Sequence, residues 1–311
     1  MSAFESRILP ATTEGTVEFE DGFTWYRISG QLDSGVRPLI VLHGGPGCTH
    51  DYLLRLTQLA LPEWGNRVVV HYDQIGNGRS SHHPDKPASY WEVELFVAEF
   101  HNLLAHLGID DYDVLGQSWG GMLGAEIAVR RPAGLNQLVL ADSPASIELW
   151  LQAANRLRAE LPAGVDDALK RNENAGTTDS PEYLELMKVF YDRHVCRIVP
   201  NPPEVRASLE AMDGDPTVYL TMNGPSEFHT VGSLVGWSVI DRLPQIAART
   251  LVISGAFDEA APETVRPFVD LVPDVRWRLF ADSSHMPHVE ETERYLRITA
   301  EFLNGDEPEG D

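Results

Sequence analysis

The segment Gly116-Gln-Ser-Trp-Gly120 sets a serine between two glycines, after Tyr112–Gly116, which reads as a strand, and before Trp119–Arg131, which reads as a helix. A serine hydroxyl is a poor nucleophile until a base takes its proton, and the base needs a third group to orient it. At a strand–turn–helix elbow the serine sits on a sharp, strained turn, where side chains at positions 116 and 120 would collide with neighbouring backbone. Gly121 and Gly124 then let the helix pack closely on the sheet. The start of that helix brings N–H groups and a positive dipole beside Ser118. The chemistry this points to is acyl transfer through a covalent acyl-serine.

In the α/β-hydrolase arrangement, which this segment resembles, the order along the chain is serine, then acid, then histidine. Asp258 follows the strand Thr250–Ser254, and His285 follows the strand Val275–Phe280, so both fall at strand C-termini on the same edge as Ser118. Asp142 ends another strand and competes as the acid, while Asp282 lies close to His285 in sequence. His288 competes as the base but lies past Pro287, where a helix should already be starting. His285 and His288 lack a completing ligand set, so no metal is expected. Acyl transfer also needs donors for the developing oxyanion. The Trp119 N–H is one, and His43-Gly-Gly-Pro-Gly47 supplies the other, from Gly45 with Gly44 as the alternative.

The elements that must position these residues follow an alternating rhythm. Asp21-Gly22 between Thr16–Phe19 and Phe23–Ser29 signals a hairpin. The apolar runs Pro38–Leu42, Arg67–Tyr72, Tyr112–Gly116, Leu135–Ala141 and Thr250–Ser254 are short and unalternating, as suits strands buried on both faces of a parallel sheet. Helical spacing over Ser89–Leu107, Trp119–Arg131, from about Pro262 and over Val289–Leu303 completes a wound α/β pattern. Between Pro144 and Val235 the strands disappear and Glu148–Leu161, Gly164–Asn172, Pro181–His194 and Pro203–Met212 read as helices. The expected organisation is therefore a core of residues 1–143 and 236–311, with a mostly parallel sheet, and a helical cap, 144–235, over the sheet edge where ligands bind. The polar tail Asn304–Asp311 is expected to fray.

Composition narrows the rest. The 311 residues are 43% hydrophobic and 23% charged, ordinary for a globular protein. No run approaches the roughly 18–20 apolar residues of a membrane span, and the first residues lack a basic start and apolar stretch, so a cytoplasmic location is expected. A net charge of −23 argues against nucleic acid or anionic membrane as partners and suits either solubility or a cationic substrate. Cys48 and Cys196 lie far apart and fit a reducing compartment.

Four segments, His43–Gly47 with His50-Asp-Tyr52, Tyr72–Ser80, Gly116–Gly121 and Met222–Phe228, resemble the proline iminopeptidase family of α/β-hydrolase serine peptidases, which includes L-amino acid amidases. The resemblance runs over nearly the whole chain. It implies release of a free N-terminal amino acid, proline or a small apolar residue, from a small peptide or amino acid amide by a cofactor-free monomer. It further implies that Glu227 and Glu259 hold the substrate's α-ammonium and that Tyr219 and Tyr52 line the pocket. His229 and Thr230, which follow Glu227-Phe228, depart from the family pattern and are expected to face the site, and Trp150 of the cap is expected to bear on side-chain preference. An esterase or lactonase with the same triad is the alternative, and it needs no ammonium site.

Overall fold

The structure, a computed structural model, describes residues 7–307. The hairpin strands are β1 (Thr13–Phe19) and β2 (Gly22–Ser29), and Phe19 pairs with Gly22. The two loop residues are thus Glu20-Asp21, one position earlier than the Asp-Gly signal suggests, with Glu20 at φ 50°. β3 (Leu39–Leu42), β4 (Val69–Asp73), β5 (Tyr112–Gln117), β6 (Leu135–Ala141), β7 (Arg249–Gly255) and β8 (Val275–Phe280) complete an eight-stranded sheet in the order β1-β2-β4-β3-β5-β6-β7-β8. From β4 to β8 every pairing is parallel. Successive residues serve opposite cores. Ile40, Leu42, Val114 and Leu140 face one cluster, while Leu39, Val41, Leu115 and Val139 face the other. That double burial is why these runs are unbroken by polar residues.

One face is covered by α1 (Val93–Leu107) and α2 (Trp119–Val129). The expected start of α1 at Ser89 is instead a short 3-10 turn, because fully buried Trp91 turns the chain inward at ψ 77° before the helix begins. Between β6 and β7 run α3 (Ile147–Ala159), α4 (Val165–Ala175), α5 (Pro181–His194), α6 (Pro203–Gly214) and α7 (Thr217–Met222). Leu157, Leu169, Tyr183, Phe190 and Phe228 form a separate small core within this insertion. α8 (Pro262–Leu271) joins the first face. α9 (Pro287–Glu290) and α10 (Thr292–Leu303) replace the single closing helix expected, and α10 packs on the second face beside the 3-10 helix His50–Ala60. The break falls at Glu291, at φ −127°, whose carboxylate accepts the Ser283 hydroxyl at 2.5 Å. Glu290 accepts both the backbone N–H and the hydroxyl of Ser284. Both acids are drawn to the loop that carries His285, and the helix cannot continue through them.

Of the expected frayed tail, residues 308–311 lie outside the described residues, but its beginning is tied down. Arg276 Nε donates to Glu307 at 2.8 Å and Arg249 to the Asp306 carbonyl at 2.9 Å. No helix among the described residues is long and apolar enough to cross a membrane.

Candidate active site

Ser118 links β5 to α2 at φ 57°, ψ −126° and is 6% exposed. A non-glycine residue there is strained. Its surroundings hold it: the Ser118 N–H donates to the Ala141 carbonyl of β6 at 2.9 Å, and its own carbonyl receives the Gly121 N–H at 2.8 Å. A Cβ on Gly116 would collide with the Gly120 carbonyl, and one on Gly120 with the Leu42 carbonyl, so the motif's glycines are forced by backbone crowding. Gly121 is also crowded, for a Cβ there would stand 2.5 Å from the Ser143 side chain. Gly124 does not fit the expectation of close packing, for a Cβ there would make ordinary contacts at 3.4 Å and beyond.

The loops after β7 and β8 bring an acid and an imidazole together. His285 Nδ1 lies 2.7 Å from Asp258 Oδ1, which also accepts the Ala260 N–H at 2.8 Å. Asp258 is wholly buried and His285 5% exposed. Asp142, the competing acid, is also wholly buried and lies within hydrogen-bonding reach of the Asp258 carboxyl. Asp282 offers its backbone carbonyl to Arg197. His288 points elsewhere, with Nε2 on the Tyr52 carbonyl at 3.1 Å, and burial pushes its pKa down to about 3.

Ser118, His285, Gly45, Tyr52, Glu227 and Glu259 line one cavity, together with Gln117, Cys48, Tyr191 and Met212. Glu259 is 1% exposed, and neither of its carboxyl oxygens has a hydrogen-bond partner among the described residues. Oε1 stands 3.7 Å from His285 Nε2. Burial first, then the charges of Glu227 and Asp258, hold the Glu259 carboxyl well above the usual carboxylate range. Burial also raises Glu227, against the opposing effect of a hydrogen bond from the Tyr219 hydroxyl at 2.8 Å. Glu227 is fixed at its main chain too. Tyr191 Oη accepts its N–H at 3.2 Å, and Trp150 Nε1 donates to its carbonyl at 2.5 Å.

Tyr219 is not among the residues around that cavity; it lines a neighbouring one, and Gly47 packs against its Cβ. Tyr52 walls the Ser118 cavity, but its hydroxyl is committed: it accepts the Gly44 N–H at 2.7 Å and donates to Gln117 Oε1 at 2.5 Å. Among the described residues nothing accepts the Gly45 N–H, which separates the two glycines that the sequence left open. Trp119 opens α2, so its N–H belongs to the first turn and has no intrahelical acceptor. The Trp150 ring stands edge-on to His285 at 5.9 Å. His229 and Thr230 do not reach the cavity. His229 lies 3.9 Å from Glu173, and Thr230 donates to Asn223 at 2.9 Å.

Three participants escaped the sequence reading. Gln117 Nε2 donates to the His285 carbonyl at 2.8 Å, bridging Tyr52 to the imidazole loop. Its position inside Gly-x-Ser-x-Gly is the only signal it carried. Tyr191 touches the cavity from α5. At the end of α5, the His194 carbonyl accepts the N–H of both Glu259 and His285, each at 3.2 Å, while its Nδ1 lies 2.8 Å from the Phe257 carbonyl.

A family model for the alpha/beta hydrolase fold matches residues 37–292. A proline iminopeptidase of Lactobacillus delbrueckii subsp. lactis is 37% identical over 94% of this chain and 98% of its own length. Among solved structures, VinJ superposes with a TM-score of 0.93 at 54% identity, covering 95% of this chain and 99% of that one. A proline iminopeptidase of Mycobacterium smegmatis does so with a TM-score of 0.88 at 52% identity, covering 94% and 98%. An enol-lactonase of Burkholderia xenovorans LB400, at 19% identity and a TM-score of 0.65, shares the fold alone. Identity at this level across nearly the full length leaves one conclusion: the chain belongs to the proline iminopeptidase family of α/β-hydrolases.

Proposed function

We propose that this protein is a serine hydrolase that releases a free N-terminal amino acid, proline or a small apolar residue, from peptides or amino acid amides. Ser118 Oγ attacks the carbonyl carbon while His285 Nε2 takes its proton, and Asp258 holds the imidazole through Nδ1. The N–H groups of Gly45 and Trp119 receive the oxyanion. As the tetrahedral intermediate collapses, His285 returns the proton to the departing amine, and a water activated by the same imidazole then frees the acyl group. No step requires a metal or cofactor. Residues 144–235 act as the cap: they supply Tyr191, Met212 and Glu227 to a cavity whose nucleophile and base come from the core. Two unpaired cysteines fit a reducing compartment, and we assign the enzyme to the cytoplasm as a monomer.

The observation that carries this reading is Glu259. A carboxyl 1% exposed, with neither oxygen hydrogen-bonded among the described residues, beside a second carboxyl on the nucleophile's own cavity, is costly when ionised unless a cation completes it. The α-ammonium of a substrate is such a cation, set at a fixed distance from the scissile carbonyl. Glu227→Ala and Glu259→Ala should each cost on the order of 2–5 kcal/mol in transition-state binding of prolinamide, roughly a 30-fold to several-thousand-fold loss in kcat/KM. A small neutral aryl ester should be hydrolysed about as well as by the parent. Equal losses on both substrates, or efficient cleavage of N-acetylated substrates by the parent, would leave a general amidase, esterase or lactonase instead.

A further inference from the structure

Asp142 directly follows β6 at φ 52°, a left-handed conformation that aspartate tolerates better than most non-glycine residues. Its N–H donates to the Ile253 carbonyl of β7 at 2.8 Å, and its Oδ1 accepts the Gly255 N–H at 3.1 Å. The Gly255 carbonyl in turn accepts the Asp258 N–H at 3.4 Å, so Asp142 grips the turn that carries Asp258. The two carboxyls are wholly buried and within hydrogen-bonding reach of each other. Asp142 Oδ2 and Asp258 Oδ2 are the oxygens that no other group among the described residues satisfies. Were both groups ionised, two buried negative charges would face one another through unsatisfied lone pairs. One proton between them removes both penalties.

We propose that Asp142 and Asp258 share a single proton held on Asp142, making Asp142 a positioning residue that donates to Asp258 Oδ2 and aims the charge of Asp258 through Oδ1 at His285. This rests on the reading of Asp258 as the acid that orients His285. The other titratable groups facing the pair are Glu290, Tyr52 and Tyr295 on the Asp142 side, and Glu259, His194 and His285 on the Asp258 side. Burial first, and then the charge of Asp258, push the Asp142 carboxyl well above the usual range. A neutral Asp142 has a neutral isostere. In Asp142→Asn the amide oxygen can still accept from Gly255, and the amide nitrogen can still donate to Asp258.

The test is the pH profile of kcat/KM on a neutral aryl ester for the parent, Asp142→Asn, Asp142→Leu and Asp258→Asn. Asp142→Asn should stay within about threefold of the parent, with the acid limb unmoved. Asp142→Leu removes the donor and should lower kcat roughly tenfold or more at little-changed KM. An acid limb moved down by about a unit in Asp142→Asn would mean that an ionised Asp142 had been raising the basicity of His285, and would overturn the proposal. Parental kcat in Asp142→Leu would overturn it too. If the leucine variant fails to fold, an infrared difference spectrum at neutral pH decides: the parent should show a protonated-carboxyl band that Asp142→Asn lacks, and its absence defeats the shared proton. Asp258→Asn stands apart from these arms. Parental activity there would sink the assignment of the orienting acid itself, whatever the state of Asp142.

Discussion

Ser118 and Glu259 illustrate how single residues here accept local cost. Ser118 holds a strained backbone at the head of α2, and the proposed chemistry depends on its hydroxyl alone. Ser118→Ala should abolish turnover while leaving the melting temperature close to the parent's, and a fluorophosphonate should label Ser118 in the parent. Labelling at Ser80 or Ser143 would refute the assignment. Glu259 bears its cost in solvation. Because its folded-state pKa is raised, the folded protein holds a proton that the unfolded chain releases near its ordinary value of about 4.3. Stability is therefore lost as pH rises from that unfolded value towards the raised folded one. Glu259→Gln removes the ionisation and should be more stable than the parent above about pH 5, with the gap closing near pH 4. Each kcal/mol gained corresponds to about 2–4 °C in Tm for a domain of 150–250 residues, somewhat less for a larger one. Calorimetry of parent and variant at the two pH values checks it, and a Tm difference that does not change with pH would mean that the fold does not hold a proton on Glu259. Activity on free-amine substrates should fall as stability rises.

At the scale of elements, the meeting of β5 and α2 separates glycines that look alike in sequence. Gly120→Ala drives a methyl into the Leu42 carbonyl, a backbone atom that cannot swing away, and should give insoluble or inactive protein. Gly124→Ala meets only side-chain carbons at ordinary contact distances, in the interior of a helix. Replacing a mid-helix glycine there should stabilise by roughly 0.5–1 kcal/mol with activity kept, measurable by urea titration. The strands and the elbow were legible because burial on both faces writes itself as unbroken apolar runs and because the tight turn demands glycine. The break between α9 and α10 was not legible. It depends on Glu290 and Glu291 reaching Ser283 and Ser284, contacts with no periodic signature. The short 3-10 turn before α1 was hidden for a similar reason, since Trp91 reads as one more apolar position until its burial is known.

For the whole molecule, the two carboxyls of the cavity should make pH dependence a property of the substrate as well as the enzyme. Burial raises both Glu227 and Glu259, so at acid pH the pair holds a proton that an incoming ammonium must displace. The acid limb of kcat/KM for prolinamide should therefore lie at higher pH than the limb for a neutral aryl ester, which reports His285 without that linkage. Coincident limbs would mean that the carboxyls do not meet the substrate. The proposed nucleophile, base and acid come from strand ends and chain order, and the two proposed ammonium-binding glutamates from family resemblance. What joins them could not be read from either. Gln117 becomes a partner only when the end of β5 meets Tyr52 and the His285 loop, and Tyr191 and the His194 carbonyl only when core and insertion close on each other.

The double acceptance at His194 limits how this enzyme can be redesigned. A single carbonyl at the end of α5 bonds the backbone of both Glu259 and His285. Material from another hydrolase could be transplanted into α6, which brings Leu209 and Met212 to the cavity, to alter which side chains are welcomed. A graft that shifts the last turn of α5 would misplace Glu259 and His285, the proposed charge anchor and base, together. Recombination should therefore be best tolerated in α6, while the end of α5 and the Trp150 contact from α3 are stitches that any chimera has to preserve.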